Sequence, residues 1–162
     1  MTSGAVMQWK LSSFDALSVA ELYALLQLRT EVFAVEQNCA FQDMDGADGQ
    51  AMHLMGSCDG ELLAYARCFP PGVKFGEASI GRVVTRRQAR GRGLGHSLME
   101  QAMSAVKTQW GEQPIRIGAQ ARLKKFYSGH GFVDAGKPYI EDGIDHLEMV
   151  WQPSTLEPGV SK

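Results

Sequence analysis

The segment Val83-Val84-Thr85-Arg86-Arg87-Gln88-Ala89-Arg90-Gly91-Arg92-Gly93-Leu94-Gly95-His96 constrains this chain more than any other. An apolar strand pattern over residues 78–85 runs into a polar, Gly-rich connection at 86–95. Leu94, Leu98, Ala102, Ala105, Val106 and Trp110 then recur at the spacing of an amphipathic helix. Small residues at 91, 93 and 95 let the backbone turn tightly, and a helix start offers free N–H groups and a positive dipole end. Such a turn suits phosphate oxygens. It is not a P-loop, because Gly95 is followed by His96 rather than by Lys and a hydroxyl residue. It is not a dinucleotide fingerprint either, since the bulky His96 stands where a third small residue is needed. The spacing that fits is Arg90-x-x-Gly93-x-Gly95 after an apolar strand.

The other elements follow from local signals. Residues 9–14 read as a strand. Ser18-Val19-Ala20-Glu21 is a capping box opening a helix whose apolar stripe holds Leu22, Leu25, Leu26 and Phe33. Residues 38–50 form a loop rich in Asp and Gly. Strands at 51–57 and 61–69 flank the hairpin dipeptide Asp59-Gly60, and Pro70-Pro71-Gly72 ends the hairpin. A strand at 115–119, a short helix at 121–128 carrying Leu123, Phe126 and Tyr127, and two strands around Glu141-Asp142-Gly143 complete the pattern. The order predicts an α/β (α+β) fold, a mixed sheet with helices on its faces, with ligands at strand carboxyl ends. One domain spans 1–152, and a flexible tail follows at 153–162.

Composition excludes several classes. The 162 residues are 44% hydrophobic and 21% charged, which are globular values. Sixteen Lys plus Arg against eighteen Asp plus Glu leave a net charge of -2, against a nucleic-acid coat. The apolar stretch 22–28 is too short for a bilayer, so a cytoplasmic protein with no membrane partner is expected. A two-residue turn at Asp59-Gly60 places Cys58 opposite Glu61 and Cys68 opposite Ala51, so no disulfide joins those cysteines. Asp43-Met44-Asp45-Gly46-Ala47-Asp48 lacks the glycine at position 48 and the glutamate at position 54 of a calcium loop, and no metal is expected.

Over residues 7–152 the chain resembles the GNAT acyltransferases. Arg90-x-x-Gly93-x-Gly95 is similar to their coenzyme A pyrophosphate motif, and Phe126-Tyr127-x-x-x-Gly131-Phe132 is similar to the segment after their fifth strand. Leu28-Arg29-Thr30-Glu31-Val32-Phe33, with Glu36-Gln37 and Asp43-x-Asp45-x-x-Asp48, resembles the ElaA-like branch. The resemblance implies a mostly antiparallel central sheet whose fourth and fifth strands splay apart, with Gly81 and Gly118 available for the distortion. It implies backbone pairing of Val83, Val84 and Thr85 with the pantetheine arm of acetyl-coenzyme A. Amides of Arg90, Gly91, Arg92, Gly93, Leu94, Gly95 and His96 would hold the pyrophosphate, with charge from Arg90 and Arg92.

The activity implied is acetyl transfer to a primary amine by direct attack in a ternary complex, with a backbone N–H near Val84 polarising the carbonyl and Tyr127 as general acid. Glu77 is the candidate base, with His53, His146, Glu36 and ordered water as alternatives. A non-catalytic coenzyme A-binding module and a nucleic-acid binder using the arginine cluster are the competing readings. Residues 78–99 hold Arg82, Arg86, Arg87, Arg90 and Arg92 with no acid, and residues 30–52 hold Glu31, Glu36, Asp43, Asp45 and Asp48 with no Lys or Arg. If these segments face each other across one cleft, the first suits an anionic cofactor. Asp43, Asp45 and Asp48 either cap turns or draw in a cationic acceptor, a small molecule or a protein amine. The final hairpin is a candidate homodimer surface.

Overall fold

A computed structural model describes residues 6–154; the tail expected from residue 153 lies mostly outside them. The order is β1 (Gln8–Ser13), α1 (Val19–Arg29), β2 (Met52–Cys58), β3 (Glu61–Phe69), β4 (Ser79–Thr85), α2 (Leu94–Trp110), β5 (Ile115–Gln120), α3 (Lys124–Ser128), β6 (Val133–Glu141) and β7 (Ile144–Trp151). The capping box closes α1 as its sequence requires: the Glu21 N–H donates to Ser18 Oγ at 3.0 Å, and the Ser18 N–H to Glu21 Oε1 at 2.9 Å. Beyond Arg29 the helix widens into a π-helical stretch, Thr30–Glu36, which carries Glu36 to the end of the sheet. No helix among the described residues is long and apolar enough to cross a membrane.

Two antiparallel sheets make up the central layer, in the orders β1-β2-β3-β4 and β5-β7-β6. Period-two alternation, reset where the strands bulge, sorts the first sheet's side chains. Leu54, Ala64, Ala66, Cys68 and Ile80 face α2 in the main core, whereas Met55, Leu62, Tyr65 and Val84 face Leu25, Leu28 and Val32 of the other layer. The helices therefore cover opposite faces.

The hairpin register differs from the sequence expectation by one residue. Cys58 does face Glu61, but a bulge near Gly56 and Ser57 shifts the remaining pairs, so Cys68 faces Met52 rather than Ala51. Trp9 explains why glycine is required there: a Cβ at Gly56 would lie 2.5 Å from its ring. All three cysteines are free.

A second bulge lies in β4. Tyr65 pairs with Val84 and Arg67 with Gly81, so Arg82 and Val83 together oppose Ala66. Arg82 adopts φ 49°, rare for a side-chain-bearing residue. The extra residue reverses the alternation of β4: Ile80 and Val83 pack toward α2, and Val84 turns to the α1 face. Next to this bulge the sheet divides. Among the described residues, β4 and β5 meet in a single parallel bridge, Ala78 to Ile115, with the Arg116 N–H donating to the Ala78 carbonyl at 2.9 Å. From there the strands diverge toward their carboxyl ends, as expected for the fourth and fifth strands.

Candidate active site

The divergence of β4 from β5 opens a cleft of about 460 Å³. Val83 and Thr85 line one wall; Ile117, Gly118 and Gln120 line the other. The bulged stretch of β4 pairs with β3 on one side only, so its second edge presents unused backbone donors and acceptors to the opening. At the carboxyl end of β4 the chain passes through Gly91 (φ 91°) and Gly93 (φ 77°) into α2. Both positions have open space where a Cβ would stand, so their need for glycine is conformational. The first bond of α2 runs from the Ser97 N–H to the Gly93 carbonyl at 3.1 Å, which leaves the amides of Leu94, Gly95 and His96 without intrahelical acceptors. Unused amides and a helix dipole make this end an anion cradle. Phe126 of α3 backs it, packing on Gly95 and on the His96 ring at 4.8 Å.

Tyr127 is buried at the cleft wall, edge-on to Phe126 and Phe132. Its hydroxyl has no hydrogen-bond partner among the described residues. Burial pushes the phenol up to about 12, against a smaller opposing pull from Arg122, so it keeps its proton throughout the neutral range.

The acetyltransferase (GNAT) domain profile matches residues 21–153. The chain belongs to the GNAT acetyltransferase family, in its ElaA-like branch. Protein ElaA of Escherichia coli K12 is 41% identical over 146 residues, covering 89% of this chain and 95% of its own. The crystal structure of E. coli ElaA superposes with a TM-score of 0.84 at 40% identity, covering 91% of this chain and all of the other. An acyl-CoA N-acyltransferase from Pseudomonas aeruginosa superposes with a TM-score of 0.85 at 47% identity, over 90% and 99% of the two chains.

Within this GNAT framework the sequence-derived site residues separate. Val83, Thr85, Arg90, Gly95, Tyr127, Glu36 and His146 reach the cleft, while the Val84 side chain is buried under α1 and Leu94 anchors α2 in the core. Gly91 and Gly93 shape the turn. Arg92 is exposed with no ion-pair partner among the described residues, but Arg90 is committed elsewhere. Its guanidinium donates to the Thr85 carbonyl and hydroxyl and forks onto Glu36. Arg90 therefore stiffens the turn more than it offers free charge, and its guanidinium holds Glu36 below the usual carboxylate range.

Two candidate bases lie away from the cleft. Glu77 does not line the cleft; it takes both carboxylate oxygens to Arg116, at 3.0 and 3.2 Å, and that guanidinium keeps its carboxyl low. His53 is fully buried on the α1 side. Its Nε2–H donates to the Asp48 carbonyl at 2.8 Å and its Nδ1 accepts from the Tyr65 hydroxyl at 2.5 Å. Burial first, aided by Arg29 and Arg67, moves the imidazole below its ordinary value. His146 is different. Its Nδ1–H donates to the Ile144 carbonyl at 2.7 Å, so the neutral ring carries its lone pair on Nε2. It stacks on Tyr139, with centroids 5.2 Å apart, on the cleft's second wall.

Asp43, Asp45 and Asp48 do not present free charge to a cationic acceptor. Asp43 accepts from Arg29 and Arg82, each at 2.8 Å; Asp48 accepts from Arg29 and Arg67, each at 2.8 Å; Asp45 takes Arg67 and Lys74. Arg67 and Lys74 keep Asp45 far below the carboxylate range. At Asp48, burial would raise the carboxyl, but Arg29 and Arg67 together outweigh it. Sequence reasoning missed Arg29 and Arg67 as the cations of this network. Arg29 lay in view: it falls four residues after Leu25 on the apolar stripe of α1, and a cation on a buried stripe requires carboxylates around it.

Proposed function

We propose that the chain is an acetyl-coenzyme A-dependent N-acetyltransferase acting on a primary amine by direct attack in a ternary complex. The observation that carries this reading is the continuity of the unpaired β4 edge with the free amides at the start of α2, with Tyr127 in the wall alongside. Acetyl-coenzyme A, when bound, supplies an acyl group activated as a thioester. The edge of β4 through Val83, Val84 and Thr85 suits the amides of an extended pantetheine arm, as a neighbouring strand would. The amides from Gly91 to His96 suit a pyrophosphate, the Arg90 amide being spent on the Arg87 carbonyl, and Arg92, with no ion-pair partner among the described residues, adds charge. A backbone N–H beside the Arg82 bulge polarises the acyl carbonyl, since the bulge turns the strand out of its ladder. His146 Nε2 removes the proton from the attacking amine and the Tyr127 hydroxyl donates one to the departing thiolate.

The test is thiol release from acetyl-coenzyme A against an amine panel, together with thermal shifts by coenzyme A, ATP and NAD. Stabilisation by coenzyme A alone and amine-dependent thiol release are expected. Stabilisation with no release from any amine would make the fold a binding module.

A further inference from the structure

We infer that the acceptor carries a carboxylate beside its amine and an apolar body, as an apolar α-amino acid does; this rests on the acetyltransferase reading and names the substrate of the same cleft. The network of Arg29, Arg67, Lys74 and Arg82 with Asp43, Asp45 and Asp48 sets four cations against three carboxylates. It is polarised with respect to the opening. Arg67, Lys74 and Arg82 line the cleft, while the three carboxylates do not.

The cleft-side cations also retain unused donors. Arg67 is 2% exposed and its Nε has no hydrogen-bond partner in the buried wall. Arg82 spends Nε and Nη2 on Asp43 and leaves Nη1 without a partner among the described residues. Lys74 spends one of its three N–H donors, on Asp45 at 3.2 Å. A buried donor without an acceptor is costly, and a wall with one surplus positive charge is complemented by a monoanion better than by a dianionic phosphate.

The surroundings fix the rest of the acceptor. Phe69 lies under two of the cations, 5.0 Å from the Arg67 guanidinium and 5.6 Å from Lys74 Nζ, and Phe41 lies 5.8 Å from the Arg82 guanidinium. With Phe75 these rings give the same part of the cleft an apolar lining. Glu141 and Asp142, on the same β6–β7 hairpin as His146, also line the cleft and bring acidic residues to that wall. A carboxylate at the cations, an apolar group among the rings and an amine toward His146 account for all three surfaces; a simple cationic amine leaves the surplus positive charge unanswered.

The test is calorimetric binding of L-phenylalanine, 2-phenylethylamine and 3-phenylpropionate to the full chain with coenzyme A present, coenzyme A affinity being measured separately. Phenylalanine should bind tightest, and 2-phenylethylamine at least about tenfold more weakly for want of a charge-assisted pair. In the Lys74→Met variant, a surface change compatible with folding, phenylalanine should weaken about tenfold while coenzyme A affinity holds. Equal or tighter binding of 2-phenylethylamine, no binding of phenylalanine, or an unchanged phenylalanine affinity in Lys74→Met would overturn the inference. Absence of coenzyme A binding would instead overturn the acetyltransferase reading, whichever probe binds.

Discussion

Tyr127 and His53 show how burial, the main cause at both, assigns opposite duties to two titratable side chains. Tyr127 is buried at a cleft wall with its hydroxyl uncommitted, and burial raises its phenol, so it is an acid with its proton in hand. Tyr127→Phe should lower kcat by about a hundredfold, in the range for loss of a general acid. Coenzyme A affinity, read by thermal shift, should hold, since the ring packing against Phe126 and Phe132 is retained. His53 is buried where no substrate reaches, and burial lowers it from 6.5. A depressed value means that folding favours the neutral ring. Its contribution is present above pH 6.5 and is lost as pH falls through the folded value. Thermal midpoints should therefore decline on acidification below about pH 6.5, well before carboxylates of ordinary value 3.8 such as Asp45 lose their pairs, and His53→Gln should flatten that first decline.

At the scale of elements, what local chemistry decides was legible and what tertiary contact decides was not. The capping box set the start of α1, Asp59-Gly60 set the hairpin, and Arg90-x-x-Gly93-x-Gly95 set the turn into α2; each is complete within a few residues. The need for glycine at 56, beside the hairpin bulge, was invisible because the Trp9 ring that covers it comes from another strand. The reversal of faces in β4 was invisible for a related reason: Arg82, at φ 49°, finds its partner in Asp43, distant in sequence. Among the candidate bases, Glu77 looked free because its partner Arg116 lies 39 residues away. The turn itself allows a sharp expectation. Gly93 sits at φ 77° as the residue before α2. Gly93→Ala should cost about 1–2 kcal/mol by placing a Cβ in the left-handed region, measured by urea unfolding, and should weaken coenzyme A binding because the amides beside it are displaced.

Across the whole molecule, the basic and acidic segments neutralise one another. Arg82 meets Asp43, Arg86 meets Glu31 and Arg90 meets Glu36. The segregation read from the sequence is a set of internal contacts joining the π-helical end of α1 and its following loop to β4 and the turn after it. Breaking one of the buried links should be expensive. Asp48→Asn leaves Arg29 and Arg67 short of an anion, and a loss of about 3 kcal/mol in urea unfolding is expected. The divided sheet has a further consequence. Among the described residues its two halves touch along β4 and β5 at one bridge and share the core beneath, so the fold is an arch standing without its keystone. A ligand that fits the gap supplies strand contacts the polypeptide omits, and tightness of binding and rigidity of the arch become one quantity. Slowed amide exchange at the facing edges of both sheets would record it.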